Sequence, residues 1–546
     1  MSLMILKKIL FHPLLYIFLF ALFLRTYRLA EIPYGFHVDE VKVGWNAYSL
    51  FNTGRDDWWH TFPLHYDSFG DQRPTGIMYA SIPAVAFFGL NEFSTRFPSA
   101  LFGALGVIGV FFLTKNLKLK IENFAAFLAA VSPWHITLSR ATSEGIIAST
   151  LILFGLVLLI RKKPNIAISG ILLISSYFFY HTARLLVPIF ILAVTAFQIW
   201  STPDHKINFR SMSLFFLTLT LTLTFAFSPI ARSRLNQISI FKDLGVRDEL
   251  DRLPFEEGPN HVFIARLFHN KIALYATRFA NEYFSYFSPK FFLTFGETKP
   301  LRYATVLRGP LLYVEFILFI LGLLIMARKV PISSHKLLLV TLLLASPLAA
   351  ALTTEDAPNL HRALLMSPFI SIIAALGLTQ ILKFSKLLYS LFLLFLVLDF
   401  IYFSHQYLIH NQARDVLTIT RNAGAKELIL ELSRLAPRYR QIYLTNRPDP
   451  LFTWYAFYKQ PSPFSFNQLL ALSKNQEFVF GNLVFSQHRC PSEIIAEKKL
   501  SDTLAVNAEG CPVSSQTQFV GQIKRLGGGI PYTLWRYPAL EVTSGQ

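Results

Sequence analysis

The sequence predicts a polytopic α-helical membrane protein of about 11 transmembrane helices plus interfacial helices, carrying a small extracytoplasmic α/β domain at its C-terminus. Three observations predict it. The 546-residue chain is 53% hydrophobic and only 15% charged, with a mean hydropathy of +0.42, more apolar surface than a soluble protein of this size can bury. Apolar runs of about 17 to 20 residues recur, each long enough to cross a hydrocarbon core of roughly 30 Å as a helix. Short basic clusters separate these runs: Lys115 to Lys120, Arg161 to Lys163, His205 to Arg210, Arg328 to Lys336 and Lys383 to Lys386. That is the pattern of cytoplasmic loops. The net charge of +18 is spread over these clusters, none as long as a nucleic-acid-binding tail, so the partner it points to is the lipid bilayer and not nucleic acid.

Taken in order, the elements begin with an apolar stretch that follows Lys7 and Lys8 and ends in Phe23-Leu24-Arg25-Thr26-Tyr27-Arg28. It lacks a small-residue cleavage site and reads as an uncleaved first span, which puts the N-terminus in the cytoplasm of a multi-pass plasma-membrane protein. Eleven segments read as spans: 9–26, 98–114, 122–134, 142–160, 165–180, 185–200, 211–230, 309–327, 337–352, 363–380 and 386–404. A twelfth candidate, 74–90, carries Pro83 and reaches only about 25 Å as a helix. If it crossed, every later basic loop would lie outside, against the positive-inside rule. It is therefore read as interfacial and non-crossing. Residues 27–97 then form the first external loop, 231–308 a second external segment, and 1–404 the transmembrane catalytic domain.

From 405 to 546 the apolar runs shorten. GAKELILELSRLA reads as an amphipathic helix and QIYLTN as a strand, which makes this region the extracytoplasmic α/β domain. Its two cysteines, Cys490 and Cys511, are the only ones in the chain. One bridge is possible, and an external position makes the pair oxidisable.

Polar groups at a membrane boundary are costly unless they are used. The first external loop opens with IPYGFHVDEVKVGW, in which Asp39 and Glu40 are adjacent acids and Lys42 follows Asp39 by three residues, on one helical face. Such a carboxylate can take a proton from an attacking hydroxyl when a neighbouring cation keeps it ionised; the plain alternative is a solvated loop. Arg73 precedes a proline at headgroup depth, where it can hold a phosphate by two parallel hydrogen bonds or simply snorkel. Three more external turns carry cations: SPWHITLSRATSE with Arg140, YHTARLLVP with His181 and Arg184, and LTTEDAPNLHRALLMSP with Glu355, Asp356, His361 and Arg362. If they converge, they make a water-poor anion site for a lipid phosphate whose charge grows as it departs. The alternative for each is a capped helix end or an interhelical ion pair. No His-x-x-x-His spacing marks a zinc site, and divalent metal dependence is left open.

These pieces, in this order, resemble the GT-C superfamily of polyprenyl-phosphate-sugar-dependent glycosyltransferases, particularly the protein O-mannosyltransferase and aminoarabinose-transferase-like group (family 39). The resemblance covers most of the chain. It rests on Asp39-Glu40, on Arg73-Pro74 where Lys-Pro-Pro is commoner, on GLNEFSTRFPSALFGALGV, and on SPWHITLSRATSE, YHTARLLVP, YFSYFSPKFFLTFGE and HRALLMSP. It implies a GT-C fold and inverting transfer of a sugar from a polyprenyl-phosphate donor to a hydroxyl or amine on the external face. The acceptor is a protein, lipid or wall glycan, the polyprenyl-phosphate sugar is the donor substrate, no further cofactor is called for, and a divalent metal stays open. Asp39 takes the position of the base, Glu40 orients the acceptor or supports Lys42, and Lys42 and Arg73 contact the donor phosphate, with Arg140, Arg184, His361 and Arg362 as further candidate phosphate ligands. Gln72 stands where some relatives carry an acidic metal-binding residue. Tyr283, Tyr286 and Phe287 are expected to line the donor or acceptor cleft. A rival class is a transporter or flippase of a lipid-linked anion; the gathering of the candidate residues on one side of the bilayer argues against it. A scaffold with a decayed catalytic loop is the third reading.

Overall fold

The computed structural model describes residues 12–68, 71–201, 208–228, 239–258, 262–297, 301–328, 333–354, 356–473, 477–486, 489–513 and 517–538. Lys7, Lys8 and Glu355 lie outside the described residues, as do parts of the segment 231–308. The chain forms two compact units. The first comprises residues 1–27, 65–76 and 99–406, the second 28–64, 77–98 and 407–546.

Among the described residues, six helices are long and apolar enough to cross a bilayer: Glu92–Asn116, His181–Ser201, Phe209–Ala226, Ser334–Ala351, Met366–Phe384 and Lys386–Ala413. Other expected spans form shorter apolar helices, and local chemistry explains the lengths. Pro133 stands in the first turn of a separate helix, Pro133–Ser139, because its missing N–H is no loss there. The expected span 122–134 is accordingly the ten-residue helix Glu122–Val131. Ser143 caps Glu144–Leu159 by accepting from the Ile146 N–H, and Asn165 caps Ile166–Ser175 in the same way through Ile168. Residues 74–90 contain the 13-residue helix Gly76–Phe88, with Pro83 inside it.

The first unit is also held by buried arginines. Arg25 donates to the carbonyls of Ala129 and Ala130, and Arg308 is ion-paired with Asp399. A two-stranded antiparallel hairpin, β1 (His65–Ser68) and β2 (Asp71–Pro74), belongs to this unit, with Tyr66 opposite Arg73.

The second unit contains a six-stranded mixed sheet. Its strands are β3 (Gln441–Leu444), β4 (Phe478–Phe480), β5 (Leu483–Phe485), β6 (Thr503–Ala508), β7 (Gln518–Ile523) and β8 (Tyr532–Tyr537), in the order β4-β5-β3-β6-β8-β7. β3 runs parallel to both of its neighbours, and the other pairings are antiparallel. The expected amphipathic helix is Ala425–Leu435, burying Leu428, Ile429 and Leu432, and the expected strand is β3. Cys490 and Cys511 form a disulfide.

The core of this unit is not built from the C-terminal residues alone. Val41 and Trp45 of the helix Val38–Thr53 are buried with Ile429, Trp454, Phe485 and Leu504. The Trp45 indole N–H donates to Asn467 Oδ1 at 2.9 Å, and the Trp454 indole N–H to the Phe36 carbonyl at 3.1 Å. The packing unit around the sheet therefore takes in residues 28–64 and 77–98, which chain order assigns to the first external loop.

Candidate active site

In the second unit, His37 starts the helix Val38–Thr53 with a reciprocal cap. Its Nδ1 accepts from the Asp39 N–H at 3.1 Å, and Glu40 Oε2 accepts from the His37 N–H at 3.3 Å. Gly54 ends the helix with φ +68°, a left-handed conformation that glycine adopts without strain. Asp39 thus stands in the first helical turn, where the unsatisfied N–H groups favour negative charge. Its carboxylate lies 3.5 Å from His37 Nδ1, with 21% of the side chain exposed.

Glu40 is differently placed, only 5% exposed. Oε1 accepts from Arg96 Nε at 3.0 Å, and Oε2 from Arg96 Nη2 at 3.3 Å and Arg421 Nη2 at 2.7 Å. Arg96 also donates to the carbonyls of Leu29 and Gly35. Glu40 is the centre of a buried charge cluster that joins the residues before the helix to Arg421.

Lys42 is buried, with Nζ 3.5 Å from Asp57 Oδ2 and 5.9 Å from the Trp58 ring centre. The Asp57 N–H donates to Asn46 Oδ1 at 2.7 Å. Burial pushes the Asp57 carboxyl above its ordinary range, and Lys42 opposes the shift.

In the first unit, the hairpin that carries Arg73 meets the start of the helix His181–Ser201. His181 Nε2 lies 3.2 Å from the Gln72 carbonyl, and Arg184 Nη1 lies 2.8 Å from His181 Nδ1. Arginine has no acceptor, so Nδ1 takes its proton bond from Arg184, and Nε2 carries the hydrogen donated to Gln72. These two bonds select one neutral tautomer. Arg184 Nη2 reaches His65 Nε2 at 3.3 Å and the Tyr177 carbonyl at 3.1 Å, while its guanidinium lies 3.4 Å from the Phe225 ring centre. Burial, and then the charge of Arg184, lowers the pKa of His65. Gln72 also donates to Asp67 Oδ2 across the hairpin at 3.2 Å. The Gln72 carbonyl, one residue before Arg73, thereby meets the helix that carries Arg184, and His65 is a member of this hairpin-helix junction that the sequence did not single out.

The neighbouring turn is tied in through His361. Its Nε2 accepts from the Gly145 N–H at 3.1 Å and lies 2.9 Å from Ser143 Oγ. The ring packs between Tyr180, 4.6 Å away centre to centre, and Tyr303, 5.5 Å away. A Cβ on Gly145 would lie 2.5 Å from that nitrogen, so only glycine admits this approach. Tyr303 is held in turn by Glu297, whose Oε2 accepts from the N–H groups of Arg302, Tyr303 and Ala304. Burial raises the Glu297 pKa against those three donors. Arg362 donates to Thr353 Oγ1 at 2.8 Å.

Arg140 sits apart in role. It donates to the carbonyls of Leu24 and Tyr27 at 2.8 and 2.7 Å and so caps the end of the helix Pro13–Thr26. Of the expected cleft aromatics, Tyr286 is fully buried and its hydroxyl accepts from the Asn359 N–H, whereas the Tyr283 hydroxyl donates to the Leu344 carbonyl. Among the described residues, no three His, Cys, Asp or Glu side chains gather in a way that could hold a metal ion.

No protein-family profile matches the chain, and no curated protein matches it. Similar solved structures include the oligosaccharyltransferase AglB of Archaeoglobus fulgidus in complex with an inhibitory peptide and a dolichol-phosphate, at 14% identity and a TM-score of 0.48 over 82% of this chain and 63% of that one. The chain thus spans less than two thirds of that protein's length. A structure of the Archaeoglobus fulgidus oligosaccharyltransferase with zinc and sulfate is similar at 14% identity and a TM-score of 0.49, over 95% of this chain and 73% of that one. ArnT of Cupriavidus metallidurans bound to undecaprenyl phosphate is similar at 11% identity and a TM-score of 0.47, over 98% of each chain.

Proposed function

We propose that the chain is an inverting glycosyltransferase of the GT-C type, which moves a sugar from a polyprenyl-phosphate donor to a hydroxyl or amine acceptor on the external face of the plasma membrane. The observation that carries this reading is the junction of Arg73's hairpin with Arg184. Arg184, oriented by neutral imidazoles and an aromatic face on a helix that meets the hairpin carrying Arg73, suits the phosphate of a lipid-linked donor held beside apolar helices.

In the proposed reaction, Asp39 takes the proton from the acceptor as the acceptor heteroatom bonds to the anomeric carbon. The bond from that carbon to the phosphate oxygen breaks on the opposite face, and its electron pair leaves with the polyprenyl phosphate. The arginines stabilise the charge that develops on this leaving group. Glu40, held between Arg96 and Arg421, acts as a positioning residue for Asp39. His361 positions the turn that carries Arg362, and Arg140 acts through the helix end it caps.

The test measures release of polyprenyl phosphate from a panel of labelled polyprenyl-phosphate sugars, beginning with mannose, by purified full-length protein with envelope extract as acceptor. Wild type is expected to release it with one donor sugar, and Asp39→Asn to bind the donor but release none. Equal release by both would remove Asp39 from the mechanism. Counterflow of intact donor in proteoliposomes without bond cleavage would favour a flippase instead.

A further inference from the structure

Within the first unit, the helices Ile166–Ser175 and Phe209–Ala226 pack side by side and run in the same direction. A Cβ on Gly170 would lie 3.0 Å from Leu214, and the Tyr177 hydroxyl beyond the first helix lies 3.0 Å from Thr222 Oγ1 in the second. Each helix begins just after or at an exposed cation, Lys163 before the first and Arg210 in the first turn of the second. Between them runs an open groove of about 1020 Å³. Ile166, Gly170, Ile174, Leu214 and Leu217 line its length, and Lys163 and Arg210 line the end where both helices start.

Charge and length together identify an occupant. Residues 161–175 and 208–217 contain Arg161, Lys162, Lys163 and Arg210 and no Asp or Glu. The ten residues of Ile166–Ser175 rise roughly 15 Å, half of a hydrocarbon core of roughly 30 Å and so the depth of one leaflet. Exposed Ile171 and Leu217 in the groove wall and exposed Phe216 next to Leu217 in sequence add to this apolar surface. A groove one leaflet deep, apolar along its length and cationic at its mouth, complements a single amphiphile with an anionic head. We propose that it binds one anionic glycerophospholipid of the bilayer, its phosphate at Lys163 and Arg210 and an acyl chain along Gly170, Ile174 and Leu217. This site is separate from the junction of Arg73's hairpin with the helix of Arg184 and does not depend on the proposed glycosyl transfer.

The experiment reconstitutes full-length protein in nanodiscs of phosphatidylglycerol and phosphatidylcholine, then extracts it gently and quantifies retained lipid by mass spectrometry. Wild type is expected to retain about one phosphatidylglycerol in strong preference to phosphatidylcholine. Lys163→Ala with Arg210→Ala should cut that preference by about 30-fold, and Lys163→Arg with Arg210→Lys should keep it. Ile174→Trp, which fills the groove and leaves both cations, should lose the retained lipid while eluting as a folded species in size-exclusion chromatography. Wild-type retention in the double alanine variant, or equal retention of both lipids by wild type, would overturn the proposal. If Ile174→Trp retained phosphatidylglycerol at the wild-type level, the lipid would lie outside the groove, which equally overturns it.

Discussion

Glu40 and Arg421, 381 residues apart in sequence, are joined by a buried hydrogen-bonded ion pair of 2.7 Å, and Arg96 holds the same carboxylate from its other side. Removing one charge from such a cluster leaves the others buried and uncompensated, which costs about 3–5 kcal/mol. Glu40→Gln should therefore lower the unfolding free energy by that order. Asp39→Asn, one residue away but partly exposed, should change it by about 0.5 kcal/mol. Denaturant unfolding of the two purified variants checks the contrast, and equal losses would show that the cluster does not hold the helix.

Asp57 supplies a pH dependence. Its folded pKa is raised by burial, so the folded protein binds that proton more tightly than the unfolded chain. This contribution to stability is fully present below the ordinary carboxylate pKa and is lost as pH rises through the raised folded value. Asp57→Asn should flatten that part of the profile. Lys42→Met removes the partner that opposes the shift and should extend the loss to higher pH. Thermal unfolding from about pH 4 to pH 8 measures both, and an unchanged profile in Asp57→Asn would assign the titration to another group.

Arg184 uses its two terminal nitrogens on His181, His65 and the Tyr177 carbonyl. Lysine is a point charge and cannot reproduce that planar fork. On the proposed reading, both Arg184→Lys and Arg184→Met should weaken binding of the polyprenyl-phosphate donor. The methionine change should cost about 10- to 100-fold, the range of a lost charge-assisted hydrogen bond. Ligand-induced thermal stabilisation reports this, and an unaltered affinity in Arg184→Met would take Arg184 out of the phosphate site.

Gly145→Ala places a methyl where His361 Nε2 now accepts a hydrogen bond. The imidazole must move, at a cost of about 1–3 kcal/mol typical of overpacking. A smaller residue at 361 relieves the clash, so Gly145→Ala combined with His361→Ala should be less destabilised than the sum of the single variants. Strict additivity in that double-mutant cycle would disprove the contact.

What the sequence discloses and what it hides follow from the range of the forces involved. The helix Ala425–Leu435 and the strand β3 show in local periodicity because each buries one face. The cations at 73, 184 and 362 stand out because charge is scarce beside apolar runs. Asp39-Glu40 is visible as a dipeptide, but nothing local separates a partly exposed carboxylate from a buried one; that difference is set by Arg96 and Arg421. His65 and Asp57 gave no signal, since their roles come from partners 119 and 15 positions away. Span lengths were shifted by single residues such as Pro133, which the hydropathy of a whole segment averages out.

The composite origin of the second unit has a consequence in time. Val41 and Trp45 leave the ribosome early, and the side chains that cover them, Ile429, Trp454 and Phe485 among them, come hundreds of residues later. At an elongation rate of roughly 5–20 residues per second, the 381 residues separating Glu40 from Arg421 take roughly 20–75 s to synthesise. Throughout that interval the newborn helix displays an uncovered tryptophan face and a carboxylate waiting for its second arginine. Biogenesis of this protein thus includes a vulnerable period in which proteases and chaperones have access to an element that in the finished molecule is sealed.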